Sequence, residues 1–124
     1  MKFRYTILYV KDVSASLDFY CDAFGMKLKM LHESGGYGEL DTGGTILSFA
    51  ALSGLKEKNA MAPNAENPTF EIAFETDDVA AGMNKALKAG AKLVQAPALM
   101  PWGQTVAFVS DPDGFLVEIC TPIG

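Results

Sequence analysis

Two carboxylates sit inside runs that are otherwise apolar: Glu118 in FLVEIC (115–120) and Glu71 in FEIAFE (70–75). A carboxylate in such a place is a metal ligand, an acid or base, or a polar anchor for a bound molecule, because a buried charge without a partner is costly. Two that share a cavity raise one another's proton affinity, so that one becomes a base and the other an acid. The plainer alternative is that each bonds a neighbouring hydroxyl or water and only makes the pocket polar. A third candidate is uncharged. Trp102 stands in the loop PWGQ, just ahead of the run TVAFVS. An indole offers a large rigid stacking face at little entropic cost, and Gly103 beside it lets a ligand approach the backbone closely. The same ring also suits burial in a subunit contact.

Composition limits what these groups can join. The chain holds one histidine, His32, so a three-histidine metal site, or a Ser-His-Asp triad with a ligand to spare, is excluded within one copy. Cys21 and Cys120 are isolated thiols without CxxC spacing, which fits a reducing compartment better than a disulfide framework. A net charge of −5 and the lack of a dense Lys/Arg stripe argue against an electrostatic nucleic-acid binder, and no nucleic-acid partner is expected. No apolar run reaches membrane-spanning length, and the first residues interleave charge with apolar side chains, so neither a membrane span nor a signal peptide is expected. The expectation is a cytoplasmic protein. A chain of 124 residues, 49% hydrophobic, is long enough for one domain with a substantial core and too short for two ordinary ones.

The elements that must position the candidates are written twice. YTILYVKDVSASLDFYCDAFGMKL (5–28) parallels FEIAFETDDVAAGMNKALKAGAKL (70–93), with Asp12-Val13 matching Asp78-Val79. Each copy begins with a strand, then an Asp able to cap a helix. Val13, Leu17, Tyr20 and Phe24 form one apolar stripe, and Val79, Met83, Ala86 and Leu87 form its counterpart; Gly25 and Gly90 close the two helices. Three strands follow in each copy, around Gly35-Gly36, Gly43-Gly44, a Pro-rich turn and an Asp-Pro-Asp-Gly turn. The organisation predicted is one domain over 1–124: module 1 about 1–52, a connection over 53–68 that is a surface linker or a lid, and module 2 about 69–124. Two such modules with their helices on one side leave the other side as a cavity. Strand alternation sends Phe70, Ile72 and Phe74 to one face and Glu71, Ala73 and Glu75 to the other, and sets Val117 and Ile119 against Leu116, Glu118 and Cys120. The face packed by the helix is the more apolar, so Glu71 and Glu118 belong on the open side. Tyr37 and Glu39 alternate in phase on a middle strand and either line the cup or lie on an exposed edge. His32 reads as a rim residue of the second strand.

Together, YVKDVSASLDFYCDAFGMKL near the start and PWGQTVAFVSDPDGFLVEI near the end resemble the vicinal oxygen chelate superfamily. That superfamily includes glyoxalase I, extradiol dioxygenases, fosfomycin-resistance enzymes and bleomycin-resistance proteins. The resemblance covers nearly the whole chain. It implies an α+β fold: tandem βαβββ modules forming a curved mixed sheet with helices on the convex face. Family enzymes carry a divalent metal on a His or Gln of the first strand of each half and a Glu or similar ligand on the last. Transferred by the motifs, those positions are Tyr5, seven residues before Asp12; Glu71, seven before Asp78; Glu118; and Ser48. The set holds no imidazole, and a catalytic metal needs about three good protein ligands.

The PWG loop brings the chain nearest to the bleomycin-resistance-like branch, where the aromatic stacks on a flat ligand. The expected function is therefore binding of a small planar or amphipathic molecule, drug sequestration and antibiotic resistance being one form of it. Tyr5, Ser48, Glu71, Trp102 and Glu118 are the expected ligand-binding residues, and no catalytic residue is assigned. No cofactor is expected; a divalent metal, if bound, falls to Glu71 and Glu118. The alternative is a metal-dependent glyoxalase-like lyase, isomerase or dioxygenase. The resemblance also implies a homodimer in which halves of two chains complete each cup.

Overall fold

The computed structural model describes residues 1–54 and 66–123. The order of elements is β1 (Tyr5–Val10), α1 (Val13–Phe24), β2 (Lys27–Leu31), β3 (Tyr37–Asp41), β4 (Ile46–Ala51), a 3-10 turn (Leu52–Gly54), β5 (Glu71–Glu75), α2 (Val79–Lys88), β6 (Lys92–Leu99), β7 (Thr105–Ser110) and β8 (Leu116–Cys120). Most of the 53–68 connection, and with it the expectation of a lid, lies outside the described residues. The chain forms two compact units: Met1–Cys21 with the segment from Gly25 through β4, and Asp22–Phe24 with β5 onward.

In the first unit the strands run in the order β1-β4-β3-β2, with β1 parallel to β4 and the rest antiparallel. Asp12 caps α1 by accepting from the Ala15 amide at 3.0 Å, and Gly25 ends it in the left-handed region at φ 70°, its N–H donating to the Cys21 carbonyl. Of the expected stripe, Val13, Leu17 and Tyr20 are buried and Phe24, at the end of the helix, is half-buried. Tyr20 meets Phe49 of β4 with ring centroids 5.1 Å apart. Leu17 lies so close over β3 that a Cβ on Gly38 would stand 2.5 Å from its Cδ1. The helix thus covers the face that carries Gly38, Leu40, Leu47 and Phe49. By the two-residue period, Tyr5, Ile7, Tyr37, Glu39 and Ser48 occupy the opposite, open face.

The second unit repeats the plan in the order β5-β8-β7-β6. Asp78 accepts from the Ala81 amide at 3.0 Å and starts α2. Gly82 packs that helix on Ile119 of β8, a Cβ there meeting Ile119 Cγ2 at 3.2 Å. Val117, Ile119, Ala107 and Val109 form the buried, helix-covered face. Phe24, which belongs to this unit, stacks on Phe74 with centroids 4.4 Å apart and planes 9° from parallel.

Two local expectations are revised. β6 runs on to Leu99 through Pro97, which the strand tolerates because β6 is an edge and its register with β7 shifts between Gln95 and Ala98. His32 falls just past the end of β2, where Nδ1 accepts from the Ser34 amide at 3.1 Å and pairs with the Ser34 hydroxyl at 2.8 Å, so the ring braces the β2–β3 turn. Among the described residues, no helix is long and apolar enough to cross a membrane.

Candidate functional site

On the open face of the first sheet, β4 presents Ser48, and its neighbours follow from the register. Ile7 of β1 lies beside it on one flank and Glu39 of β3 on the other; Tyr5 pairs with Ile46, and Tyr37 with Ala50. Ser48 has no accessible surface, yet its hydroxyl is not stranded. Tyr37 Oη stands 3.0 Å from Ser48 Oγ and 2.7 Å from Glu39 Oε2. A phenol has one proton, and a carboxylate is the stronger acceptor, so Tyr37 donates to Glu39 while the Ser48 hydroxyl donates to Tyr37. Burial pushes the Tyr37 phenol above its ordinary value of 10.0; the Ser48 bond opposes this, and the Glu39 bond and charge add to it. Tyr5 is 40% exposed at the margin of the same face. The Arg4 guanidinium sits 5.6 Å from its ring centroid.

In the second unit Glu118 is half-buried on β8, between Ala73 of β5 and Phe108 of β7. Glu71 pairs with Leu116 and Glu75 with Cys120, so each of these exposed carboxylates is diagonal to Glu118 on one face. Diagonal neighbours in a sheet are about 7 Å apart, near enough to build a shared negative potential. Cys120 registers that potential. Its thiol is pushed above 9.0, first by burial, then by the charge and hydrogen bond of Glu118 and the charge of Glu75. It donates to the Phe74 carbonyl at 3.7 Å. A thiol held protonated and buried is not a nucleophile.

Trp102 lies in the β6–β7 turn, 62% exposed. Nε1–H donates to Gln104 Oε1 at 2.8 Å, and Gln104 Nε2 in turn donates to the Thr121 carbonyl at 2.8 Å. The indole is therefore anchored beside the end of β8. Glu71 pairs with Leu116 at the start of that strand, about 15 Å away at strand rise. Of the residues expected in one site, the second sheet thus puts Glu71 and Glu118 on one face and sets Trp102 at the Cys120 end, remote from Glu71.

The Asp-Pro-Asp-Gly turn is structural. Asp111 is buried, and its Oδ1 accepts from the amides of Asp113 (2.9 Å) and Phe115 (2.8 Å), locking the β7–β8 connection that sets Glu118 opposite Phe108.

The four positions that the resemblance assigns to a metal fit a divalent ion poorly. In the first unit they supply a phenol and a buried hydroxyl already engaged by Tyr37; in the second they supply two carboxylates on one sheet face. Among the described residues, no group of three or more His, Cys, Asp or Glu is placed to hold a metal ion.

A family profile described as "Glyoxalase/Bleomycin resistance protein/Dioxygenase superfamily" matches residues 2–119. The chain belongs to the glyoxalase/bleomycin resistance protein/dioxygenase superfamily. Its superfamily relatives include a probable lactoylglutathione lyase of Synechocystis, 32% identical over 93% of this chain and 91% of the relative. A lactoylglutathione lyase of Neisseria meningitidis serogroup A is 31% identical over 95% and 88%. Among solved structures, a glyoxalase-related enzyme from Fulvimarina pelagi superposes with a TM-score of 0.87 at 25% identity, covering 99% of this chain and 92% of that one.

Tyr37 and Glu39, left between two readings by the sequence, lie on the open face of this superfamily member beside Ser48. Phe108 was not anticipated at all. The signal was present, since Val106, Phe108 and Ser110 alternate with the buried Ala107 and Val109, but only the β7–β8 register turns that alternation into contact with Glu118.

Proposed function

We propose that this superfamily member binds a small planar or amphipathic molecule bearing a cationic or amide-rich group, and does so without a catalytic metal, drug sequestration being one such role. The observation that carries the reading is Ser48: at a position that the resemblance assigns to a metal ligand stands a fully buried hydroxyl bonded to Tyr37. The open faces support it further. Tyr5, Ile7, Tyr37 and Phe108 give aromatic and apolar contact area, and Glu39, Glu71 and Glu118 give negative charge. Pairing of two copies, which the resemblance implies, would cover exposed apolar side chains of the edge strands β2 and β6, including Leu28, Leu93 and Val94.

A second reading, a metal-dependent glyoxalase-like lyase, isomerase or dioxygenase, is favoured by relatives named lactoylglutathione lyase at up to 32% identity. In that case Glu71 and Glu118 are the carboxylates available to the ion. Metal analysis of the purified protein, with a lactoylglutathione lyase assay run with and without chelator, separates the two. Stoichiometric metal with chelator-sensitive turnover overturns the first reading. Metal-free protein whose melting temperature rises with planar amphipathic compounds supports it, and light scattering reads the dimer.

A further inference from the structure

We infer that Tyr37, Glu39 and Ser48 form a subsite on the open face of the first sheet that takes the protonated amine of an amphipathic ligand, with Glu39 as the group that meets it and Tyr37 as its positioning residue. This rests on the proposal that the open faces bind ligand, and it adds two residues to the site together with a ligand chemistry.

Register and burial make the case. Glu39 is flanked across the sheet by Met30 and Ser48, and along its own strand by Tyr37 and Asp41. None of these four is a cation. Gly38 and Leu40, on either side of it in sequence, are turned to the helix and buried, so the Glu39 side chain rises from the helix-free face, where it is half-buried. Oε2 takes the Tyr37 phenol. Among the described residues Oε1 takes no hydrogen bond. Among the described residues Glu39 thus keeps one oxygen open on the helix-free face, where an ammonium supplies an opposite charge and directed N–H donors.

The order Ser48 to Tyr37 to Glu39 also fixes polarity. Ser48 has no accessible surface, and its hydroxyl pairs with the phenol oxygen at 3.0 Å. The phenol proton is then committed to Glu39, and the chain of donors ends on a carboxylate that can only accept. A carboxylate-bearing ligand would meet an acceptor where it needs a donor. Around the subsite, Tyr5 and Ile7 are each 40% exposed and Met30 is 37% exposed, an apolar collar for the carbon frame of the ligand.

The test uses 2-phenylethylamine and its anionic counterpart 3-phenylpropionate as probes on the intact protein, read by NMR with ring-labelled tyrosine and backbone amides. At neutral pH, where the probe is an ammonium, the amine is expected to perturb Tyr37 and the β3 and β4 amides around Glu39 and Ser48. Phenylpropionate leaves both unchanged. Glu39→Gln weakens the amine about tenfold or more and Tyr37→Phe severalfold, with phenylpropionate unaffected by either. Mapping on the wild-type protein needs no variant, so a folding defect in Glu39→Gln does not rescue the inference. If the amine perturbs the Phe108 and Glu118 region and spares Tyr37, or if both probes act alike, the subsite is wrong while ligand binding stands. If neither these probes nor the planar compounds of the thermal-shift screen touch either sheet, both readings fall.

Discussion

Glu39 and Ser48 are direct cross-strand partners on β3 and β4, and one phenol holds them both: Tyr37 Oη lies 2.7 Å from the carboxylate and 3.0 Å from the hydroxyl. In the second sheet the corresponding pair is Phe108 on β7 and Glu118 on β8. The carboxylate of the pair thus sits on the penultimate strand in one unit and on the last strand in the other. The first unit keeps an acidic group on its open face although the expected position is a serine.

Breaking the link shows its worth. Tyr37→Phe leaves the buried Ser48 hydroxyl without its acceptor, and stability is expected to fall by about 1–2 kcal/mol. Adding Ser48→Ala removes the orphan, so the double variant should lie well above the sum of the two single losses. Urea unfolding of the four proteins gives the coupling; strict additivity would refute a shared network.

Alkali should loosen the second unit. The Cys120 thiol is held above 9.0 by burial and by Glu118 and Glu75, so the native state keeps its proton to a higher pH than the unfolded chain does. The stabilising contribution is complete below about pH 9 and is lost as pH rises through the raised value. Cys120→Ala should flatten the decline in urea midpoint between pH 8 and pH 10.5, and Glu118→Gln should shift the onset of thiolate absorbance to lower pH. A decline unchanged in Cys120→Ala would assign the alkaline loss to other groups.

Gly38→Ala should be costly for a side chain of one carbon. The new Cβ would stand 2.5 Å from Leu17 Cδ1, and the helix must lift or Leu17 must leave its rotamer, at about 1–3 kcal/mol. Leu17→Ala should therefore cost less in the Gly38→Ala background than in the wild type, measured by thermal unfolding.

Asp111→Ala strips two amides, those of Asp113 and Phe115, of their acceptor in a buried turn. The expected loss is about 2–3 kcal/mol, with Asp111→Asn losing less because a carbonyl oxygen remains. Equal losses would mean that the negative charge, and not the acceptor geometry, holds the turn.

Trp102→Ala should leave stability within about 0.5 kcal/mol, because the ring is 62% exposed and, among the described residues, its N–H bonds Gln104. It should weaken any planar ligand found by thermal shift at least severalfold. Unchanged affinity would reject a stacking role and leave the indole to a subunit contact, which light scattering of the same variant would test.

Features settled by nearest neighbours were legible in the chain itself. Asp12 and Asp78 cap their helices, Gly25 ends the first at positive φ, and the apolar stripe of α1 is the buried one. Each depends on contacts three or four residues apart or on the φ of one residue. The two-residue period likewise put Glu71 and Glu118 on the helix-free face. The superfamily followed from two motifs in order. What tertiary structure decided was register: Ser48 meets Tyr37 across eleven residues of sequence, Phe108 meets Glu118 across the Asp111 turn, and Trp102 is tied to Thr121 at the strand end away from Glu71. A shift of one residue in any of those pairings would turn the side chains to the opposite face without altering the local pattern. Alternation names the face of a residue, and only the closed hydrogen-bond ladder names its partner.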